Sequence, residues 1–129
     1  MKYEVVFENF TERHFIKTFS KKYKGAWDLT LKYIQEEFEQ IDILFSRSIA
    51  EYITDKDADI VICKTEFKIA GTMESRHGSG NRCIVAVHKN LRKVCVLLVY
   101  NKTDLSGHNE TAEWKNIIKD NYPEFKNLF

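Results

Sequence analysis

The chain has 129 residues, 43% of them hydrophobic and 30% charged, with five Gly and one Pro. That balance suits one folded domain over residues 1–129 and excludes collagen-like, linker-rich and disordered chains. Twenty basic residues against nineteen acidic ones leave a net charge of +1, which argues against a protein that coats nucleic acid by bulk charge.

In chain order, Lys2 to Phe7 reads as a short β-strand, and MKYEVVFENF holds no apolar core of a secretion signal. Thr11 is placed to cap a helix over Glu12 to Tyr23, whose Phe15, Phe19 and Tyr23 form one stripe. After Gly25, the residues Trp27, Leu31, Ile34, Phe38, Ile41 and Phe45 step by four and three, which predicts one long amphipathic helix. The two helices are expected to form a hairpin over one face of a sheet. Residues 47–59, acidic at Asp55, Asp57 and Asp59, read as a solvated loop.

From Ile60 the pattern turns to period two. Lys64, Glu66 and Lys68 fall on one side, and Thr65, Phe67 and Ile69 on the other. Gly78 to Gly80 mark a bend, Cys83 to His88 read as a strand, and Lys89 to Lys93 as a polar turn. Val94 to Tyr100 is apolar at every position, as a central strand buried on both faces would be. It is also the longest apolar run, far short of the ~20 residues of a membrane helix. A last helix, from Glu110 to about Tyr122, carries Trp114, Ile117, Ile118 and Tyr122 on one face. Asn109 or Ser106 would cap it, and Pro123 stops it. The sum is an α+β fold: a small antiparallel sheet of about four strands, with an N-terminal helical hairpin and a C-terminal helix on one side.

Several chemistries lack their residues. Cys63, Cys83 and Cys95 are widely spaced within apolar stretches and read as reduced core thiols. His14, His77, His88 and His108 lack metal-ligand spacing, so no metal is expected. GSGN is not followed by the Lys-Ser/Thr of a phosphate-cradling loop, and there is no serine nucleophile elbow. Asn-x-Thr triplets at Asn9, Asn101 and Asn109 read as chance matches.

The even total charge hides a strong asymmetry. Residues 60–102 hold eight basic and two acidic residues, a net of +6, between flanks of −3 and −2. A basic third between acidic flanks points to an anionic partner. The same stretch contains ESRHGSGNRCIVAVH and KVCVLLVYNKTDL. If the turn at Lys89 to Lys93 is tight, the start of one strand at Arg82 lies beside the end of the next at Tyr100 to Lys102. Glu74, Arg76, His77, Arg82, Tyr100 and Lys102 then gather at one sheet edge.

These segments resemble the RelE/ParE superfamily, the toxins of bacterial toxin–antitoxin pairs. SGNR at Ser79 to Arg82 is similar to the Ser-Gly-Tyr-Arg or Gly-Asp-Tyr-Arg with which a family strand begins, with Asn81 in place of the Tyr. VCVLLVYNKTD is similar to the family's last apolar strand and its polar tail, and the order of strand, two helices and three strands agrees. The resemblance implies a RelE-like fold and a ribosome-dependent mRNA endonuclease that drives the RNA 2′-hydroxyl onto its own adjacent phosphate, without metal or cofactor. Such chemistry needs a base, cations around the phosphorane and an acid.

On that resemblance Arg82 clamps the phosphate and His77 is the base, with Glu74 as the alternative. Arg76 and Lys102 stabilise charge, and Tyr100 stacks on a base or orients the phosphate. Lys64, Lys68, Arg92 and Lys93 are further RNA-binding candidates. The implied partners are a cognate antitoxin, in a hetero-oligomer that masks the basic edge, and mRNA on the ribosome, in the cytoplasm and away from membranes. Two other classes remain: a toxin of the same fold that inhibits DNA gyrase without catalysis, and a noncatalytic interaction module. In the plainest alternative Arg82 only pairs with Glu66 or Glu74.

Overall fold

The run Val94 to Tyr100 is apolar throughout because it has a strand on each edge and a helical layer on each face. The computed structural model describes residues 2–105 and 109–129. Five strands form one sheet: β1 (Glu4–Phe7), β2 (Glu51–Tyr52), β3 (Ile60–Phe67), β4 (Asn81–His88) and β5 (Lys93–Asn101), in the order β1-β5-β4-β3-β2. β1 runs parallel to β5, from Glu4 opposite Lys93 to Phe7 opposite Val96, and every other pair is antiparallel.

The sheet is therefore mixed and five-stranded, where the sequence led us to expect about four antiparallel strands. The β4–β5 hairpin covers only one edge of β5, and so apolar a strand left at an edge would offer its open amides to other chains. β1 closes that edge. The intervening helices and strands make the long crossover that a parallel pair requires. The fifth strand, β2, is two residues inside the stretch read as a loop, held by pairing with Lys64 and Cys63 and by the Tyr52 ring stacked on Phe45 at 4.4 Å.

The first helical run begins at Asn9, earlier than the cap reading placed it. It comprises α1 (Asn9–Thr11), a π-helical turn (Glu12–Ile16) and α2 (Lys17–Tyr23). Thr11 does not cap it. The side chain faces inward, fully buried, and its hydroxyl accepts the Val99 N–H at 2.9 Å. β1 has ended by then, so the hydroxyl supplies an acceptor that no strand offers. The predicted long helix is two: α3 (Gly25–Glu39) and α4 (Ile41–Ser46), broken at Gln40 with φ −114° and ψ 40°. The Glu39 carbonyl accepts the Tyr3 N–H at 3.0 Å, tying the break to the start of β1. The break keeps Ile41 and Leu44 buried and leaves Phe45 partly exposed. The last helix, α5 (Glu110–Asn121), is capped by Asn109, whose side chain accepts the Ala112 N–H at 3.0 Å. Ser106, the alternative cap, and His108 lie outside the described residues.

Helices cover both faces of the sheet, where the sequence reading put them on one. Trp27, Ile34 and Phe38 of α3 pack on the face carrying Cys83, Val85 and Val87. Trp114 and Ile118 of α5, with Tyr122, pack on the face carrying Ile62, Ile84 and Ala86. β4 is buried from Asn81 to Val87, and alternate residues point to opposite faces, so one helical layer cannot hide them all. The three cysteines are buried free thiols, and burial pushes that of Cys63 up to about 12. Among the described residues no group of His, Cys, Asp and Glu is placed to hold a metal ion, and no helix is long and apolar enough to cross a membrane.

One irregularity positions the candidate site. Along the hairpin Val85 faces Val96 but Ile84 faces Leu98, so Leu97 is an extra residue, a β-bulge. It shifts the register by one, and Arg82 meets Tyr100. Without it Arg82 would face Val99, and Tyr100 would point to the α3 side.

Candidate active site at the open end of the β4–β5 hairpin

Glu66 on β3, Arg82 on β4 and Tyr100 on β5 are directly opposed in register, so their side chains share the face under α5. Lys64, two residues before Glu66, joins the same face, and Glu110 comes down from the first residue of α5. The chain reaches Arg82 through a tight bend. Gly80 has φ +76°, and a Cβ there would lie 3.2 Å from Lys102 Cγ, so glycine answers both backbone and space. Its carbonyl accepts the Lys102 N–H at 2.8 Å. Asn81, buried, accepts from the Asn101 side-chain amide at 2.8 Å and locks the two strand ends together.

Arg82 is the centre. Its side chain is 5% exposed, and Nη1 lies 3.1 Å from Glu66 Oε2. Nη1 also donates to the Asn81 carbonyl at 3.2 Å. Nε is 3.9 Å from Glu110 Oε2. That is too long for a hydrogen bond, and the buried Nε has no such partner among the described residues. Glu66 Oε2 also meets His77 Nδ1 at 2.8 Å. An ionised carboxylate only accepts, so Nδ1 carries the proton, and Nε2 of this 86% exposed imidazole is the basic nitrogen. Tyr100 is fully buried and donates to Glu110 Oε2 at 2.7 Å. Burial first, then that hydrogen bond to a carboxylate, raise its phenol pKa well above the ordinary value. Lys64 Nζ is 3.7 Å from the same oxygen.

The fold thus brings Arg82, His77, Tyr100 and Lys64 together and leaves the other candidates elsewhere. Tyr100 offers no ring face on which an RNA base would stack. Arg76 turns to the opposite side, pairing with Glu37 of α3 and donating to the Glu66 carbonyl at 3.0 Å. It lines, with Lys68, a groove of about 640 Å³ between α3, α4 and the end of β3. Glu74 and Lys102 are exposed beside the bend. Arg92 and Lys93 lie at the far end of the hairpin, eight residues along the ladder, with the Arg92 guanidinium 4.3 Å over the Tyr3 ring. Glu66 had entered only as a possible partner of Arg82, and Glu110 was missed. Its one sequence signal was an acidic first turn on a helix ten residues after Tyr100.

No family model matches the chain, and no curated protein or solved structure matches it. The functional reading therefore rests on the residues themselves.

Proposed function

We propose that the protein is an endoribonuclease toxin of the RelE/ParE kind, cleaving mRNA on the ribosome and held in check by a cognate antitoxin. The observation that carries the reading is the Arg82–Glu66–His77 arrangement. One carboxylate oxygen orients both a buried guanidinium and an exposed imidazole, and leaves the imidazole Nε2 open to substrate. A base held by a carboxylate beside a fixed cation suits attack of a hydroxyl on its neighbouring phosphate. His77 Nε2 takes the 2′-hydroxyl proton. Arg82 and Lys64 meet the charge that grows on the phosphorane, and the departing 5′-oxygen takes its proton from water. Glu66 keeps the imidazole in its tautomer, a positioning role.

Expression with and without an adjacent small open reading frame, with 5′ ends of cellular mRNA mapped, tests the reading. Growth arrest with cleavage inside translated codons is expected, and His77→Ala should abolish it without disturbing the fold, because the ring is exposed. Arrest with an SOS response and intact mRNA would point instead to gyrase. A second reading has one observation in its favour: Arg82 is as buried as a purely structural clamp would be. A noncatalytic module of that kind would express well and leave growth untouched.

A further inference from the structure

We infer that Lys64 Nζ, Arg82 Nε and Tyr100 Oη form an anion site for a phosphate group, which the Glu110 carboxylate occupies in the free protein. All three donors converge on a single atom, Glu110 Oε2, at 3.7, 3.9 and 2.7 Å. Only the tyrosine is within hydrogen-bonding distance. The carboxylate satisfies the phenol and stands off from both cations, so the site is built for something broader than the group it holds. A tetrahedral anion presents oxygens in several directions and reaches all three donors together.

Arg82 supplies the independent sign. It is 4% exposed, yet its Nε, 3.9 Å from this point, has no hydrogen-bond partner among the described residues. Buried guanidinium donors are ordinarily satisfied, because leaving one open costs free energy. Charge agrees as well. Lys64 and Arg82 balance Glu66 and Glu110. Swinging Glu110 aside leaves one net positive charge, which a phosphodiester neutralises. Glu66, on the opposite flank at Arg82 Nη1, keeps its own partner and His77 throughout. Glu110 is the first residue of α5, and its side chain is 27% exposed. A rotamer change therefore removes it without unwinding the helix.

The identity of the phosphate's owner rests on the nuclease reading; the site itself does not. The test is titration of the full chain with inorganic phosphate, read by the side-chain Nε–H resonance of Arg82. Glu110→Gln and Glu110→Ala are run beside the parent, each with a melting curve. We expect phosphate to shift the Arg82 Nε–H, and its Kd to fall at least tenfold in Glu110→Ala. Glu110→Gln, which keeps an acceptor for Tyr100, should show a smaller gain of the same sign. Phosphate should also raise the melting temperature of both variants more than that of the parent.

Folded variants that bind phosphate no better than the parent overturn the inference. So does an unshifted Arg82 Nε–H with binding elsewhere. Should Glu110→Ala fail to fold, Glu110→Gln alone decides. Expression in cells with mRNA 5′ ends mapped separates the two claims. Tighter phosphate binding with no cleavage of translated mRNA sustains the anion site and overturns the nuclease. Cleavage with unchanged phosphate affinity does the reverse.

Discussion

The two ends of the β4–β5 hairpin both concentrate positive charge and handle it in opposite ways. At the turn end Lys89 donates to the Lys56 carbonyl, and Arg92 lies over the Tyr3 ring with Asp42 3.8 Å away. These cations stay in touch with water, which screens them, and each contact is individually weak. At the open end Arg82 is buried, and two carboxylates must come with it. A charge withdrawn from water is tolerable only when paired, and removing one member leaves the other stranded. The same residue type is thus a half-covered surface contact at one end and a fully buried, doubly paired element at the other. Only a fixed guanidinium can serve as a preorganised phosphate clamp.

Arg82→Met should cost the most. Both partner carboxylates keep some solvent contact, which places the loss near the lower end of the roughly 3–5 kcal/mol seen when a buried pair is broken. Urea denaturation measures it, and a loss below about 1 kcal/mol would put this end in the same class as the turn. Next comes Thr11→Val, which leaves the Val99 N–H buried without an acceptor at a cost of about 1–3 kcal/mol. Its larger interest is register. Thr11 pins β5 two residues past the extra Leu97, so the variant should lose hydrogen-exchange protection at Val99 and weaken the Tyr100–Glu110 contact. An unchanged Tyr100 environment would show that the bulge holds by itself.

Tyr100 gives a smaller effect with a defined pH sense. Its folded pKa is raised above the ordinary tyrosine value, chiefly by burial. Above about pH 10 the unfolded chain releases a proton that the folded one keeps, so stability is full below that pH and falls as pH rises beyond it. Tyr100→Phe should cost about 1 kcal/mol at neutral pH and flatten the alkaline slope between pH 9 and 11. The slope that remains belongs to Tyr3, Tyr52, Tyr122 and the buried thiols, whose pKa values are raised too. An equal slope in both proteins would mean that Tyr100 ionises freely.

Much of the open end was legible in the sequence because it depends on short-range pattern. Alternation in Ile60 to Phe67 put Lys64 and Glu66 on one side, and a tight turn at Lys89 to Lys93 put Arg82 near Tyr100. The direct pairing was not, since it needs an extra residue in a run where every residue is apolar, and no polar marker shows which one bulges. Glu110 was hidden for another reason: its contact depends on which face of the sheet α5 covers. Period-two reading cannot choose the face when β4 and β5 are apolar on both. The same ambiguity concealed the two-sided helical cover. Thr11 looked like a cap because caps and buried acceptors use the same hydroxyl, and only the end of β1 decides between them. The parallel β1–β5 pair is non-local, joining residues some ninety positions apart, and no local signal marks it.

The turn end supplies the weakest perturbation and so the sharpest contrast. Arg92 sits at φ +51°, a left-handed conformation that costs a residue with a Cβ roughly 1–2 kcal/mol. Glycine adopts it freely. Arg92→Gly gives up the guanidinium over Tyr3, a partly buried contact worth about 1 kcal/mol, together with the Asp42 pair and some unfolded-state entropy. The gain and the losses are of similar size, so the urea midpoint should move little in either direction. Arg82→Met should move it by several times as much, although each variant removes one arginine from the same hairpin. A large loss in Arg92→Gly would make the Tyr3–Arg92–Asp42 contact a second anchor of β1 against β5. The ends would then differ in chemistry but not in structural weight. Near-neutrality leaves the open end as the one place on this hairpin where a cation is locked into the fold, and hence where a phosphate can be met by a group that does not have to be ordered first.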